Sequence, residues 1–136
     1  MTTTTQDRGY KFEGGPTGVL LVHGLGGTPI EMRYVALGLA RAGYTVHVPQ
    51  LAGHCGTADD IKRSTWQDWV GTLDAALTEM RQVCETVVVA GLSAGGVMGL
   101  HLAAERPKDV HGIALFAPTL WLDGWSVPWY APFFRL

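Results

Sequence analysis

Gly91-Leu92-Ser93-Ala94-Gly95 constrains the possible folds of this chain more than any other segment. It follows Thr86-Val87-Val88-Val89-Ala90, a β-branched apolar run with the character of a buried strand. It precedes Gly96 to Arg106, which reads as a helix closed by Pro107. A G-x-S-x-G pattern alone carries little weight in a chain with 18 glycines. Between a strand and a helix it describes a sharp turn. Gly91 and Gly95 sit there because the turn has no room for side chains, and the hydroxyl of Ser93 is left standing clear. Of three serines, Ser64, Ser93 and Ser126, only Ser93 has this setting.

The surrounding pattern alternates strands with helices. Gly18 to Val22 is a continuous apolar run suited to a strand covered on both faces. After the glycines 24, 26 and 27, Thr28, Pro29 and Glu31 predict a helix start with a T-x-x-E capping box. Met32, Val35, Ala36 and Leu39 continue that helix, and Gly43 ends it. Tyr44 to Val48 is the second strand, stopped by Pro49, and Gln50 to Lys62 lacks a sustained period and reads as a loop. A second helix begins near Ser64 or Thr65, with Gln67 and Asp68 as capping partners. Its apolar stripe is Trp66, Trp69, Val70, Leu73, Leu77, Met80 and Cys84. The strand before Ser93 is the third, and Val110 to Phe116 the fourth. Right-handed crossovers then predict one α/β domain over residues 1–136, a three-layer α/β/α sandwich with a parallel sheet in the order 2-1-3-4.

Composition narrows the functions. At 136 residues, 47% hydrophobic and 16% charged, the chain can bury a core. A net charge of −2 and scattered Arg and Lys give no footprint for nucleic acid. No segment has the roughly 18 apolar residues of a membrane span, and Met1 to Arg8 lacks the apolar core of a secretory signal, so a cytoplasmic location is expected. Cys55 and Cys84 match no metal spacing and read as two buried thiols. No metal or organic cofactor is implied.

A serine hydroxyl needs a base to take its proton and donors to hold the oxyanion of a tetrahedral intermediate. The amide of Ala94, directly after the serine at a helix N-terminus, is one such donor. His23-Gly24-Leu25-Gly26-Gly27 is a loop after a neighbouring strand, and its Leu25 amide is the second. A dinucleotide loop is the competing reading of these glycines. Their spacing is not G-x-G-x-x-G, and Pro49 and Gln50 stand where an acidic residue is needed. His54 reads as a loop-bracing residue or a pocket residue, and His47 as structural.

Val22 to Gly27, Gly53-His54 and Gly91 to Gly96 occur in an order that resembles the α/β-hydrolase superfamily, specifically bacterial carboxylesterases and monoacylglycerol-lipase-like enzymes. The resemblance covers about Tyr10 to Pro118. It implies Ser93 as nucleophile, Leu25 and Ala94 as the oxyanion hole, and His23 as a residue orienting the loop, with Gly24, Gly26, Gly91 and Gly95 shaping the two turns. It implies hydrolysis of a small-molecule carboxylic ester through an acyl-enzyme, with thioester and amide left open.

The family's chain order is Ser, then Asp or Glu, then His. After Ser93 the only histidines are His101 and His111, and the only aspartates are Asp109 and Asp123, of which Asp123 alone follows the fourth strand at the correct end. His101 lies two turns along the helix, Asp109 and His111 lie at the far end of the sheet, and no histidine follows Asp123. The chain thus resembles the N-terminal half of a hydrolase. The alternative is a catalytically incomplete fragment or a binding module without turnover. Trp121, Trp125, Trp129 and Phe133 recur at spacing four in the tail, which Pro128 and Pro132 interrupt. By resemblance, residues 117–136 begin a cap; ordinary core is the other reading. An uncovered fourth strand and this apolar tail predict self-association.

Overall fold

A computed structural model describes residues 8–120. Its strands are β1 (Tyr10–Phe12), β2 (Thr17–Val22), β3 (Thr45–Val48), β4 (Thr86–Leu92) and β5 (Gly112–Phe116). Its helices are α1 (Arg33–Arg41), α2 (Ala58–Arg63), α3 (Trp66–Val83) and α4 (Ala94–Glu105), and a 3₁₀ turn over Pro29–Met32 leads into α1. The sheet order is β1-β3-β2-β4-β5. The last four strands are parallel and reproduce the expected 2-1-3-4 arrangement.

The sheet is not wholly parallel, however. β1 pairs antiparallel with β3, Lys11 facing His47. Three residues are too few to show a two-residue period, so this strand has no sequence signal. A second correction lies in the segment 50–62, which contains α2 rather than loop alone. The Thr57 side chain accepts from the Asp60 amide and the Asp60 carboxylate accepts from the Thr57 amide, a capping box that starts a helix too short for an apolar stripe. The same device, Thr65 with Asp68, starts α3 as expected.

Side-chain alternation on the strands divides the core into two layers. Leu20 and Val22 of β2 and Val87 and Val89 of β4 face Leu73, Leu77 and Met80 of α3 and Met98 and Leu102 of α4. Val19 and Leu21, with Val46, Val48 and Ala90, face Met32 and Ala36. Three layers follow directly from a sheet apolar on both faces. α1 ends as anticipated at Gly43 (φ 92°), where Gly43 N–H donates to Ala40 O and Tyr44 N–H to Leu39 O.

Arg106, at the end of α4, ties that helix to the middle of α3 through Asp74 and Thr78, and its guanidinium also donates to Asp109. Trp66 does not join the buried stripe of α3. It is half exposed and meets the ring of His101 edge-on at 5.5 Å. Cys84 is buried, but Cys55 is only partly so, and neither is in a disulfide. Ile113, Leu115 and Phe116 of β5 are exposed among the described residues. No described helix is long and apolar enough to cross a membrane. The aromatic tail from Trp121 onward lies outside the described residues.

Candidate active site

β2 and β4 are neighbours in register, Val22 beside Gly91, so the loops that follow them open side by side at the C-terminal edge of the sheet. The turn after β4 is tight. A Cβ on Gly91 would strike the backbone of Gly95, and one on Gly95 would strike the carbonyl oxygens of Val22 and His23. Ser93, at the hinge, has φ 54° and ψ −121°, a conformation that a non-glycine residue adopts only under constraint. Its amide is held by the Phe116 carbonyl of β5 at 2.9 Å. Its Oγ lies 3.0 Å from Thr119 Oγ1, its hydrogen-bond partner among the described residues. Thr119 had no sequence signal, being a lone threonine beyond a strand.

The loop from His23 to Gly27 is fixed almost completely by hydrogen bonds. Gly24 N–H donates to Glu31 Oε2 at 3.2 Å. Gly26 N–H donates to His54 Nε2 at 3.1 Å. Gly27 N–H donates to Gly24 O at 3.1 Å. Among the described residues the Leu25 amide has no acceptor, and neither has that of Ala94.

Two buried histidines brace the loop. His23 Nε2 accepts from Leu51 N–H at 3.2 Å, which places the ring proton on Nδ1, 2.9 Å from Gly24 O. His54 Nε2 accepts from Gly26, so its Nδ1–H donates to Ala52 O at 2.9 Å. The two rings meet edge-on at 5.1 Å, and Trp69 closes on His54 at 5.6 Å. His54 thus makes the loop-bracing contact, joining the segment after β3 to the one after β2. The expected Thr28–Glu31 capping box does not form. Thr28 makes no side-chain cap bond, and the Glu31 carboxylate is drawn away to Gly24.

Burial holds the His23 pKa below its ordinary 6.5, with the nearby His54 adding to the effect and the Gly24 hydrogen bond and Glu31 opposing it. Protonation would place a second N–H against the Leu51 donor. The unfolded chain therefore takes up this proton more readily than the folded one. The stability from neutral His23 is complete above pH 6.5 and is lost as the pH falls from there toward the lowered folded value. Urea melts between pH 7.5 and 5 should show stability falling by up to about 1.4 kcal/mol per pH unit over that window. His23→Gln should flatten this part of the profile. An unchanged slope in that variant would assign the effect to other groups.

None of the chain's five histidines is hydrogen-bonded to Ser93 Oγ. His23 and His54 are committed to backbone, His101 packs on Trp66, and His111 Nδ1 accepts from Val87 N–H at 3.1 Å near the opposite end of β4. Asp109 is occupied by Arg106 and Arg81. Asp123 lies outside the described residues.

The chain belongs to the alpha/beta hydrolase family, whose sequence model matches residues 19–136. It is similar to the thermostable monoacylglycerol lipase of Bacillus sp. strain H-257, 48% identical over 104 residues, which make up 76% of this chain and 41% of the lipase. It is similar also to a carboxylesterase of Bacillus subtilis strain 168, 32% identical over 72% of this chain and 40% of the esterase. A solved structure from a study of LipS and LipT, two metagenome-derived lipolytic enzymes, matches with a TM-score of 0.82 at 36% identity, over 85% of this chain and 47% of that one. The chain spans about two-fifths of the length of these curated relatives.

Proposed function

We propose that Ser93 is the nucleophile of a carboxylic ester hydrolase, and that the amides of Leu25 and Ala94 receive the oxyanion. The observation that carries this reading is a strained serine in the turn after β4, with unpartnered amides at Ala94 and at Leu25 in the loop after the neighbouring β2. In the proposed reaction, Ser93 Oγ bonds to the ester carbonyl carbon, the carbonyl oxygen takes the negative charge, and the serine proton passes to a base. Expulsion of the alcohol leaves an acyl group on Ser93, and water releases the acid. The base is not among this chain's histidines, so these residues supply the nucleophile and the hole and not the proton transfer. The α4 N-terminus adds its dipole to the two donors. His23 and His54 keep the first loop in shape. The names of the relatives, a monoacylglycerol lipase and a carboxylesterase, suggest an uncharged ester such as a monoacylglycerol as substrate.

A boronic acid tests the site without needing the base. Butaneboronic acid adds to Ser93 by forming an O–B bond, and the serine proton is released to buffer. The resulting tetrahedral boronate carries its negative charge where the oxyanion would sit. Amide resonances of the 136-residue chain should then show Leu25 and Ala94 shifting together on titration, and Ser93→Ala should abolish the shift. A titration that leaves both resonances in place would overturn the assignment.

A further inference from the structure

Glu31 is an exposed glutamate in a 3₁₀ turn, and its T-x-x-E signal is not spent on capping that turn. We propose that Glu31 is a positioning residue for the oxyanion loop: it ties down the Gly24 amide, so that Leu25 is the one amide of the loop left to receive a charge. This inference rests on the reading of Ser93 given above and adds to it a residue that the hydrolase motifs leave without a role.

Three features support it. The Glu31 carboxylate accepts from Gly24 N–H, the first amide of the run 24–27. It also packs on Gly27 so closely that a Cβ there would overlap it, so it touches the loop at both ends. It shares Gly24 as a neighbour with the nucleophile: a point where a Gly24 Cβ would lie is 3.7 Å from Glu31 Oε2 and 3.8 Å from Ser93 Cβ. Four successive amides after a strand can rotate toward an anion in more than one way. With Gly24 held by Glu31, Gly26 by His54 and Gly27 by Gly24 O, one orientation survives. A free Gly24 amide would let the loop turn and take Leu25 out of line with Ala94. Preorganisation of this kind is what makes an oxyanion hole effective, because no reorientation is needed when charge develops.

The charge on Glu31 is less important to this role than its acceptor oxygen, and that separates the variants. Glu31→Gln keeps an acceptor at the same reach; Glu31→Ala removes it. Both are to be compared with the unaltered 136-residue chain by amide hydrogen exchange and by butaneboronic acid titration. In Glu31→Ala, Gly24 exchange should accelerate by about tenfold and boronate affinity should fall by about tenfold, the effect of one lost hydrogen bond. Glu31→Gln should restore both to within about threefold. Unchanged exchange and affinity in Glu31→Ala would overturn the proposal while leaving Ser93 in place. Faster Gly24 exchange with unchanged boronate affinity would make Glu31 a purely structural residue and also overturn it. Absence of any boronate response in the unaltered chain would instead defeat the reading of Ser93, and the role of Glu31 with it.

Discussion

The 136-residue chain by itself is expected to hydrolyse p-nitrophenyl butyrate no more than about 10³–10⁴-fold faster than water does, the residue left to a serine hydrolase that lacks a triad member. The expectation follows from where the chain places its five histidines, of which His47 lies in β3 opposite Lys11 of β1. His23 and His54 are buried and already spent on backbone groups, and His101 and His111 engage Trp66 and the Val87 amide. Ser93 Oγ meets Thr119 instead, a hydroxyl that cannot accept a proton at neutral pH. Triad members act as a unit, so deleting a second costs little once one is gone. Ser93→Ala should therefore leave the slow rate of this chain almost unchanged. Where an aspartate and a histidine are supplied at Ser93 by further sequence, the rate should rise by roughly 10⁶-fold, and all of that gain should vanish with Ser93→Ala. Initial rates read from released nitrophenolate decide the matter. Brisk turnover by the 136 residues, lost in Ser93→Ala, would mean that one of the five histidines reaches the serine after all.

Gly95→Ala should destabilise the fold by about 3 kcal/mol or more, a cost at the upper end of overpacking because nothing soft lies in the way. The added methyl would meet the carbonyl oxygens of Val22 and His23, backbone atoms at the end of a central strand. Those atoms cannot turn aside as a side chain can. Relief requires α4 to move off β2, which would open the packing of Met98 and Leu102 against the sheet. Urea denaturation read by tryptophan fluorescence measures the loss. Gly38→Ala, on α1 with nothing near its added methyl, is the matched control and should be neutral or slightly stabilising. A Gly95→Ala variant as stable as the parent would show that the crossing of α4 over β2 is looser than the structure has it.

The parts of this fold legible in sequence share one property: a local pattern set by burial on both faces. Val19 to Val22 announce themselves because each successive residue is buried, whichever way it points, and Val87, Val89 and Ala90 because both faces of β4 carry buried residues. Ser93 is legible because its turn excludes side chains on both flanks. β1 and α2 are not, since Tyr10–Phe12 gains its pairing from β3 and α2 has no buried residue to set a period. The fate of Glu31 shows a different limit. Its spacing from Thr28 is that of a capping box, and the same spacing at Thr57–Asp60 and Thr65–Asp68 is used as one. What distinguishes it is a competing donor, the Gly24 amide, brought close only by tertiary structure. Glutamate also has the longer reach needed to leave its own turn.

The tether from the Ser93 amide to the Phe116 carbonyl has a consequence for the order of events as the chain is made. Thr17 pairs with Thr86, and Leu92 with Phe116, so the frame around the serine joins strands far apart along the polypeptide. Such distant pairings are slow to find and yield nothing until the later partner exists. On a ribosome, the motif at residues 91–95 leaves the exit tunnel well before residue 116 does. Ser93 thus cannot hold its strained backbone when first synthesised. It would wait in an ordinary conformation until β5 arrives to seize its amide, so the nucleophile is set at a late step in the assembly of the sheet.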